Sequence, residues 1–249
     1  MDRKADDCPA RDPGPAFVAG ATGFTGREVV RLLVERGIPA VAHVRPDSPR
    51  LEEWKMRFSA MGAEVDATSW DRTAMTETLR RIRPGLVFAL LGTTRARMHE
   101  ARRAGRDPRS QSYEAVDYGL TALLIEAVKE AGLSPRIVYL SAAGVREAAR
   151  ASYYKARVKV EALLRSSGLA FTIARPSIIA GPGRDDSRPL EGLAARVGDG
   201  LLAAAGLLGA RRFQARYAST TNVRLAAALV RLALDPAAAG GIFESEELA

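Results

Sequence analysis

The chain has 249 residues, 47% of them hydrophobic, and a formal net charge of +8. That length and composition suit one large α/β domain with a full core and speak against disorder. No apolar run is long enough to cross a bilayer, the single cysteine (Cys8) has no internal disulfide partner, and His43 and His99 lie too far apart in sequence to suggest a zinc site.

Residues 1–15 are polar and proline-rich, without the apolar centre of a signal peptide. They read as a flexible tail, and the cysteine usage fits a reducing cytoplasm. The stretch from Phe17 to Ala19 then reads as a short strand. It turns on Gly20, Thr22 and Gly23 and enters a helix over about 24–36. The spacing is G-x-x-G-x-x-G. Gly20 lets the chain leave the strand sharply, Gly23 lets backbone approach a pyrophosphate, and Gly26 lets helix and sheet pack closely. A glycine triplet between a strand and a helix, near the start of the chain, is the context of a dinucleotide site. The free N–H groups of the first helical turn face the phosphates there.

Strands are expected at 39–45, 63–67, 85–91, 136–141 and 170–175, with helices at 50–60, 71–83, 112–131 and 152–167 between them. Asp71 is the expected cap of its helix. The arginine-rich 92–111 reads as a long connection, and loops of that length are often mobile lids. Beyond 176 the pattern is less regular, with apolar helices near 189–207 and 221–234 and a last strand at 242–244. Six strands alternating with helices imply a doubly wound parallel sheet in one domain, 16–249, with 177–249 an elaboration on it. In such a sheet Gly20, Arg45, Asp66, Leu91, Ser141 and Arg175, near the carboxyl ends of the strands, should converge on one crevice.

Arg45 ends the second strand, where an arginine can pair with the 2′-phosphate of NADP. The alternative is an ordinary solvated arginine. Asp66 can accept from an adenine amino group or simply form a turn. Leu91, Gly92 and Thr93, with Thr94, can line the ribose or cap a turn. Ser141 ends the fifth strand, and the next helix carries Tyr153, Arg157 and Glu161 at four-residue spacing, on one face. A cation beside Tyr153 lowers its pKa, and a serine nearby can hold a substrate oxygen. Together they make a general-acid site for hydride transfer to a carbonyl. The alternative for Tyr153 is packing with its hydroxyl at the rim. Lys155 and Lys159 point elsewhere. The basic residues are mixed with acids and not interleaved with aromatics, so a nucleic-acid role is not expected.

Gly-Ala-Thr-Gly-Phe-Thr-Gly at 20–26, Leu-Gly-Thr-Thr at 91–94, Val-Asp-Tyr at 116–118, Leu-Ser-Ala-Ala-Gly at 140–144 and Ala-Arg-Pro-Ser at 174–177 run in order along the chain. In these the sequence resembles the atypical short-chain dehydrogenases/reductases of the NmrA-like, NAD(P)H-binding group. The resemblance implies a Rossmann fold and a nicotinamide cofactor cradled by the 20–26 turn, Phe24 and Thr25 included. It implies that Pro176, Ser177 and Ile178 flank the nicotinamide. The group's Tyr-x-x-x-Lys stands here as Tyr153-x-x-x-Arg157, and arginine is bulkier and planar. The group also includes members that sense the cofactor without turnover. The expectation is an NADP-dependent oxidoreductase acting on a small carbonyl or quinone. The alternatives are a non-catalytic NADP-binding regulator, presenting the 95–109 segment to a protein partner, and a nucleotide-sugar epimerase.

Overall fold

Short strands with no polar side between two helical layers read as continuous apolar runs, and the centre of the sheet is built from such runs. The computed structural model describes residues 13–93, 95–103, 105, 107–180 and 220–248. The strands are β1 (Ala16–Ala19), β2 (Ala40–His43), β3 (Glu64–Asp66), β4 (Leu86–Ala89), β5 (Arg136–Leu140), β6 (Phe171–Arg175), the short β7 (Ile179–Ala180) and β8 (Thr220–Thr221), and β9 (Ile242–Glu244). Seven of them form one sheet in the order β3-β2-β1-β4-β5-β6-β9, every pair parallel. This is the doubly wound Rossmann arrangement, with the order reversing between β1 and β4. The predicted last strand closes the sheet beside β6, and β7 pairs only with β8.

The helices are α1 (Gly26–Glu35), α2 (Leu51–Met61), α3 (Arg72–Ile82), α4 (Arg95–Arg103), α5 (Thr121–Glu130), α6 (Ser152–Ser166) and α7 (Asn222–Leu234). Alternate strand residues feed two cores. Val18 and Phe88 meet Val29, Val30 and Leu33 of α1 and Leu225 and Leu229 of α7 on one face. Phe17 and Tyr139 meet Met75 and Leu79 of α3, Leu124 and Val128 of α5, and Val160 and Leu164 of α6 on the other. Asp71 caps α3 as expected, accepting from the Ala74 N–H at 3.0 Å.

Two segments differ from the sequence pattern. The connection at 92–111 contains α4 and a 3₁₀ turn, Pro108–Gln111. Arginine, alanine, methionine and glutamate are strong helix formers, but α4 carries no broad apolar stripe to announce it. The helix expected over 112–131 begins as a π-helical stretch, Glu114–Leu120, and becomes regular only in α5. The helix expected near 189–207, Cys8, Thr94 and most of the expected N-terminal tail lie outside the described residues.

A seated α1 depends on one backbone contact. A Cβ on Gly26 would lie 2.2 Å from the Gly20 carbonyl oxygen, whereas one on Gly37 would meet nothing within 4 Å and face only a left-handed φ of +71°. Gly26→Ala is therefore expected to lower stability by about 2–4 kcal/mol. Gly37→Ala should cost about 1 kcal/mol from backbone strain alone. Urea unfolding of the two variants measures the difference, and equal losses would show that α1 is not held against the turn.

Candidate active site

The glycine turn brings the start of α1 to the carboxyl edge of the sheet, at the reversal of strand order. Gly20 has φ +87°, and a Cβ there would lie 2.6 Å from the Leu90 carbonyl oxygen, so the turn is pressed onto the end of β4. The Gly23 N–H donates to the Gly20 carbonyl at 2.9 Å. Thr25 is buried and Thr22 half-buried. The Phe24 carbonyl accepts from Asn222 Nδ2 at 3.2 Å, so the first residue of α7 clamps the turn from the far end of the chain. Sequence reasoning missed Asn222. The resulting backbone cradle, at the positive end of α1, fits a pyrophosphate.

At the end of β2, the side chain of Arg45 is 41% exposed and lies 3.5 Å from Asp47. Nearby, the guanidinium groups of Arg27, Arg50 and Arg57 lie 4.9–5.8 Å from the centre of the Trp54 ring. Asp66 takes the turn-forming alternative. Its buried carboxylate accepts from the Thr68 N–H at 3.1 Å and the Thr68 hydroxyl at 2.9 Å. Arg81 approaches it at 3.4 Å. His43 fills the space beside it, bonded through Nε2 to the Thr68 carbonyl at 2.8 Å and packed edge-on against Trp70. Burial pushes the His43 pKa down, so the ring is neutral at pH 7.

The ends of β4 and β5 meet at a buried ion pair. Asp117, in the π-helical stretch, is fully buried. Its two oxygens accept from the Thr93 N–H at 3.0 Å and from Arg157 Nη2 at 3.1 Å. Arg157 also donates to the Leu140 carbonyl. Its guanidinium lies 4.6 Å from the centre of the Tyr153 ring. Gly92 packs against both charges: a Cβ there would sit 3.5 Å from Asp117 Oδ1 and 3.7 Å from Arg157 Nη2. Leu91 is half-buried beside it. Burial pushes the Asp117 carboxyl up, against the opposing pull of Arg157 and the Thr93 N–H. Asp117 was legible only as part of the Val-Asp-Tyr motif; an acid inside an otherwise apolar helical stripe was its signal. Two buried polar atoms, Thr93 Oγ1 and Arg157 Nε, have no hydrogen-bond partner among the described residues. Unpaired polar atoms at the end of β4 suit the hydroxyls of a ribose.

A second network lies one turn along α6. Ser141 Oγ donates to Glu161 Oε1 at 2.6 Å. Glu161, also buried, accepts from Arg175 at 2.6 and 3.0 Å and from Arg165 at 3.1 Å. Arg175 reaches Glu244 of β9 at 3.0 Å. These contacts fix what each residue is tied to. Tyr153, Arg157 and Glu161 share one side of α6, but Arg157 and Glu161 are drawn to different partners. The Ser141 proton is given to Glu161, leaving its oxygen lone pairs rather than its O–H for a ligand. Arg175 is bound into the structural network at the β6 end. The Tyr153 pKa is raised, not lowered, because burial outweighs the attraction of Arg157. Its ring stands edge-on to Tyr113 at 5.3 Å and to Tyr154 at 5.1 Å. Lys155 is exposed and Lys159 pairs with Glu114 at 2.6 Å, both away from the crevice as expected.

Past β6, the Pro176 carbonyl accepts from the Ala143 N–H at 2.8 Å, which ties the β5 and β6 ends together. The Ser177 N–H donates to Ser245 Oγ at 2.9 Å. Ile178 is 48% exposed, unusual for a large apolar side chain.

A family model described as NAD(P)H-binding matches residues 20–195 of this chain. Protein fmp52-1, mitochondrial, of Aspergillus oryzae is 26% identical over 173 residues, covering 69% of this chain and 68% of the relative. Among solved structures, the Bordetella bronchiseptica enzyme WbmH in complex with NAD+ is 18% identical, with a TM-score of 0.59 over 90% of this chain and 72% of that one. A wide-type short-chain dehydrogenase/reductase of Veillonella parvula in complex with NADP is 11% identical, with a TM-score of 0.59 over 92% of each chain. At these identities the two structures establish a shared fold.

The buried pair makes its own prediction. Arg157→Leu leaves the buried Asp117 charge without its counter-ion, and should cost about 3–5 kcal/mol. Adding Asp117→Asn to that variant should recover part of the loss, because the orphaned charge is gone. A thermodynamic double-mutant cycle checks this, and simple additivity would mean that the two residues do not act as a unit.

Proposed function

The chain belongs to the NAD(P)H-binding family, and we propose that it is an NADP-dependent oxidoreductase that reduces a small carbonyl or quinone-like compound. The observation that carries this reading is the placement of Tyr153: its ring centre lies 4.6 Å from the Arg157 guanidinium, which is itself held at the end of β5 by Asp117 and the Leu140 carbonyl. Like any tyrosine it is protonated at neutral pH, so it stands as an acid and not as a base. That suits reduction, in which a developing alkoxide, far more basic than a phenolate, takes the proton. Arg157, over the ring, is placed to stabilise the phenolate that remains.

The residues fit the cofactor. The turn at Gly20, Thr22, Gly23, Phe24, Thr25 and Gly26 would hold the pyrophosphate, Arg45 the 2′-phosphate, and Gly92 and Thr93 the nicotinamide ribose. Pro176, Ser177 and Ile178 would flank the ring, and 177–249 would shape the substrate side. Bound NADPH supplies a hydride. Ser141 accepts a hydrogen bond or orders water, and Asp117 holds Arg157 and the Thr93 N–H in register. The lone Cys8 fits a reducing compartment, the cytoplasm in this reading.

A second reading is a cofactor-binding sensor. The engagement of Arg157 by Asp117 and of Ser141 by Glu161 favours it, since neither group is free to move without breaking a buried contact. In that case exposed Arg102, Arg103 and Arg109 are candidates for meeting a protein partner.

A turnover assay separates these readings, and a titration tests the 2′-phosphate contact that both share. NADPH oxidation with a panel of carbonyls and quinones should show turnover, and Tyr153→Phe should lower it by about 10²–10⁴-fold while NADPH affinity stays within a few-fold. Absence of turnover, with intact NADPH binding, favours the sensor; turnover of a nucleotide sugar instead favours an epimerase. Arg45→Ala should weaken NADPH by roughly 1.5–3 kcal/mol and leave NADH almost unchanged in calorimetric titration. Equal losses for both cofactors would remove Arg45 from the 2′-phosphate.

A further inference from the structure

Helix α7 packs its Leu225, Ala226 and Leu229 side into the core and leaves the opposite side open to solvent. Two of the four exposed large hydrophobic side chains among the described residues lie on that open side: Val223 at 46% and Leu234 at 39%. Ala227 sits between them, half-buried. At 100° per residue, Val223, Ala227 and Leu234 fall along one edge of this face. Arg224 and Arg231 fall along the other, followed by Asp235, the residue that ends the helix. Beside them runs a groove of about 640 Å³, bounded on the α1 side by Arg36. The groove runs along the outer surface of α7 from Arg224, two residues past the Asn222 clamp, to Asp235.

The face is self-complementary. If two copies of α7 cross antiparallel about a two-fold axis near the middle of the helix, each edge meets its own counterpart. On the apolar edge, Val223 of one copy then comes level with Leu234 of the other. On the polar edge, Arg224 comes level with Asp235. Both pairs occur twice. The small Ala227 sits at the crossing, where it lets the two helix axes approach closely. Arg231 does not obstruct this, because its Nη2 is turned to the Glu247 carbonyl at 3.0 Å. Asp235 is firmly placed: its carboxylate accepts from the Ala237 N–H at 2.9 Å, and its carbonyl accepts from Arg136. Arg224 enters no ion pair among the described residues, so the acid of a second copy is a partner within its own chemistry.

We propose that the open face of α7 is a homodimer interface, formed by two copies of this chain packed antiparallel through Val223, Ala227 and Leu234 and registered by reciprocal Arg224–Asp235 pairs. The charged pairs set the register and exclude other pairings.

Sedimentation velocity of the full chain, over a concentration series from low micromolar to near-millimolar, tests this. The parent should self-associate. Arg224→Glu faces Asp235 of the second copy twice with like charge, and should weaken dimerisation by about tenfold or more. Asp235→Lys should do the same against Arg224. The double variant Arg224→Glu with Asp235→Lys restores opposite charges and should return association to within a few-fold of the parent. Because Asp235→Lys also removes a turn-capping carboxylate, Ala227→Arg is the variant that leaves Asp235 untouched; it places a bulky cation at the crossing and should give a monomer with an unchanged melting temperature. A parent that stays monomeric at every concentration overturns the proposal. So does a dimer indifferent to both Arg224→Glu and Ala227→Arg.

Discussion

A carboxylate with no exposure to water must be answered by a cation and by hydrogen-bond donors, or it does not stay charged. Asp117 is answered by Arg157 and by the Thr93 N–H, and the arrangement of the crevice follows from that requirement. The loop after β4 is held down because its amide is one of the two donors. The β5 end is held because Arg157 also donates to the Leu140 carbonyl. The phenol of Tyr153 is positioned under the same guanidinium. One ion pair thus fixes the relative places of the loop after β4, the end of β5 and a candidate proton donor, which come from three separate parts of the sequence.

The centre of the sheet was legible because β1, β2 and β4 are short, buried and largely apolar runs closed by turns, and a parallel strand covered on both faces has no polar side to confuse the reading. The glycine turn was legible for the same local reason: strand, glycines and helix follow one another within a dozen residues. What escaped was long-range or chemically quiet. The Asn222 clamp joins residues 198 apart to the Phe24 carbonyl, and no local pattern in α7 announces it. The Asp117–Arg157 pair spans 40 residues. Helix α4 was hidden because charge, rather than an apolar stripe, dominates its sequence.

The tyrosine shows where a correct local rule gave the wrong sign. Four-residue spacing does place Arg157 against Tyr153, and a cation does favour a phenolate. But the same packing that brings the guanidinium over the ring also strips water from the hydroxyl, and Asp117 offsets part of the positive charge. Desolvation then exceeds the attraction. Sequence spacing reports neighbours along a helix; it does not report how much water the rest of the fold removes from them.

Along α6, Arg157 and Glu161 are one turn apart and of opposite sign, yet they do not pair. Arg157 is taken by Asp117 on the β4 side, and Glu161 by Ser141 and Arg175 on the β6 side. Each buried charge therefore finds its partner on a different neighbouring element, so the helix is registered against both strand ends at once and cannot slide without breaking one pair or the other. The glycine cradle rests on none of this. It is formed by backbone pressed on backbone at Gly20 and Gly26, and by the start of α1. The glycine turn and the α6 networks accordingly depend on separate physical causes, the first on chain shape and the second on charge placement. Substitutions in the α6 networks can therefore disturb the strand ends while the glycine turn keeps its form.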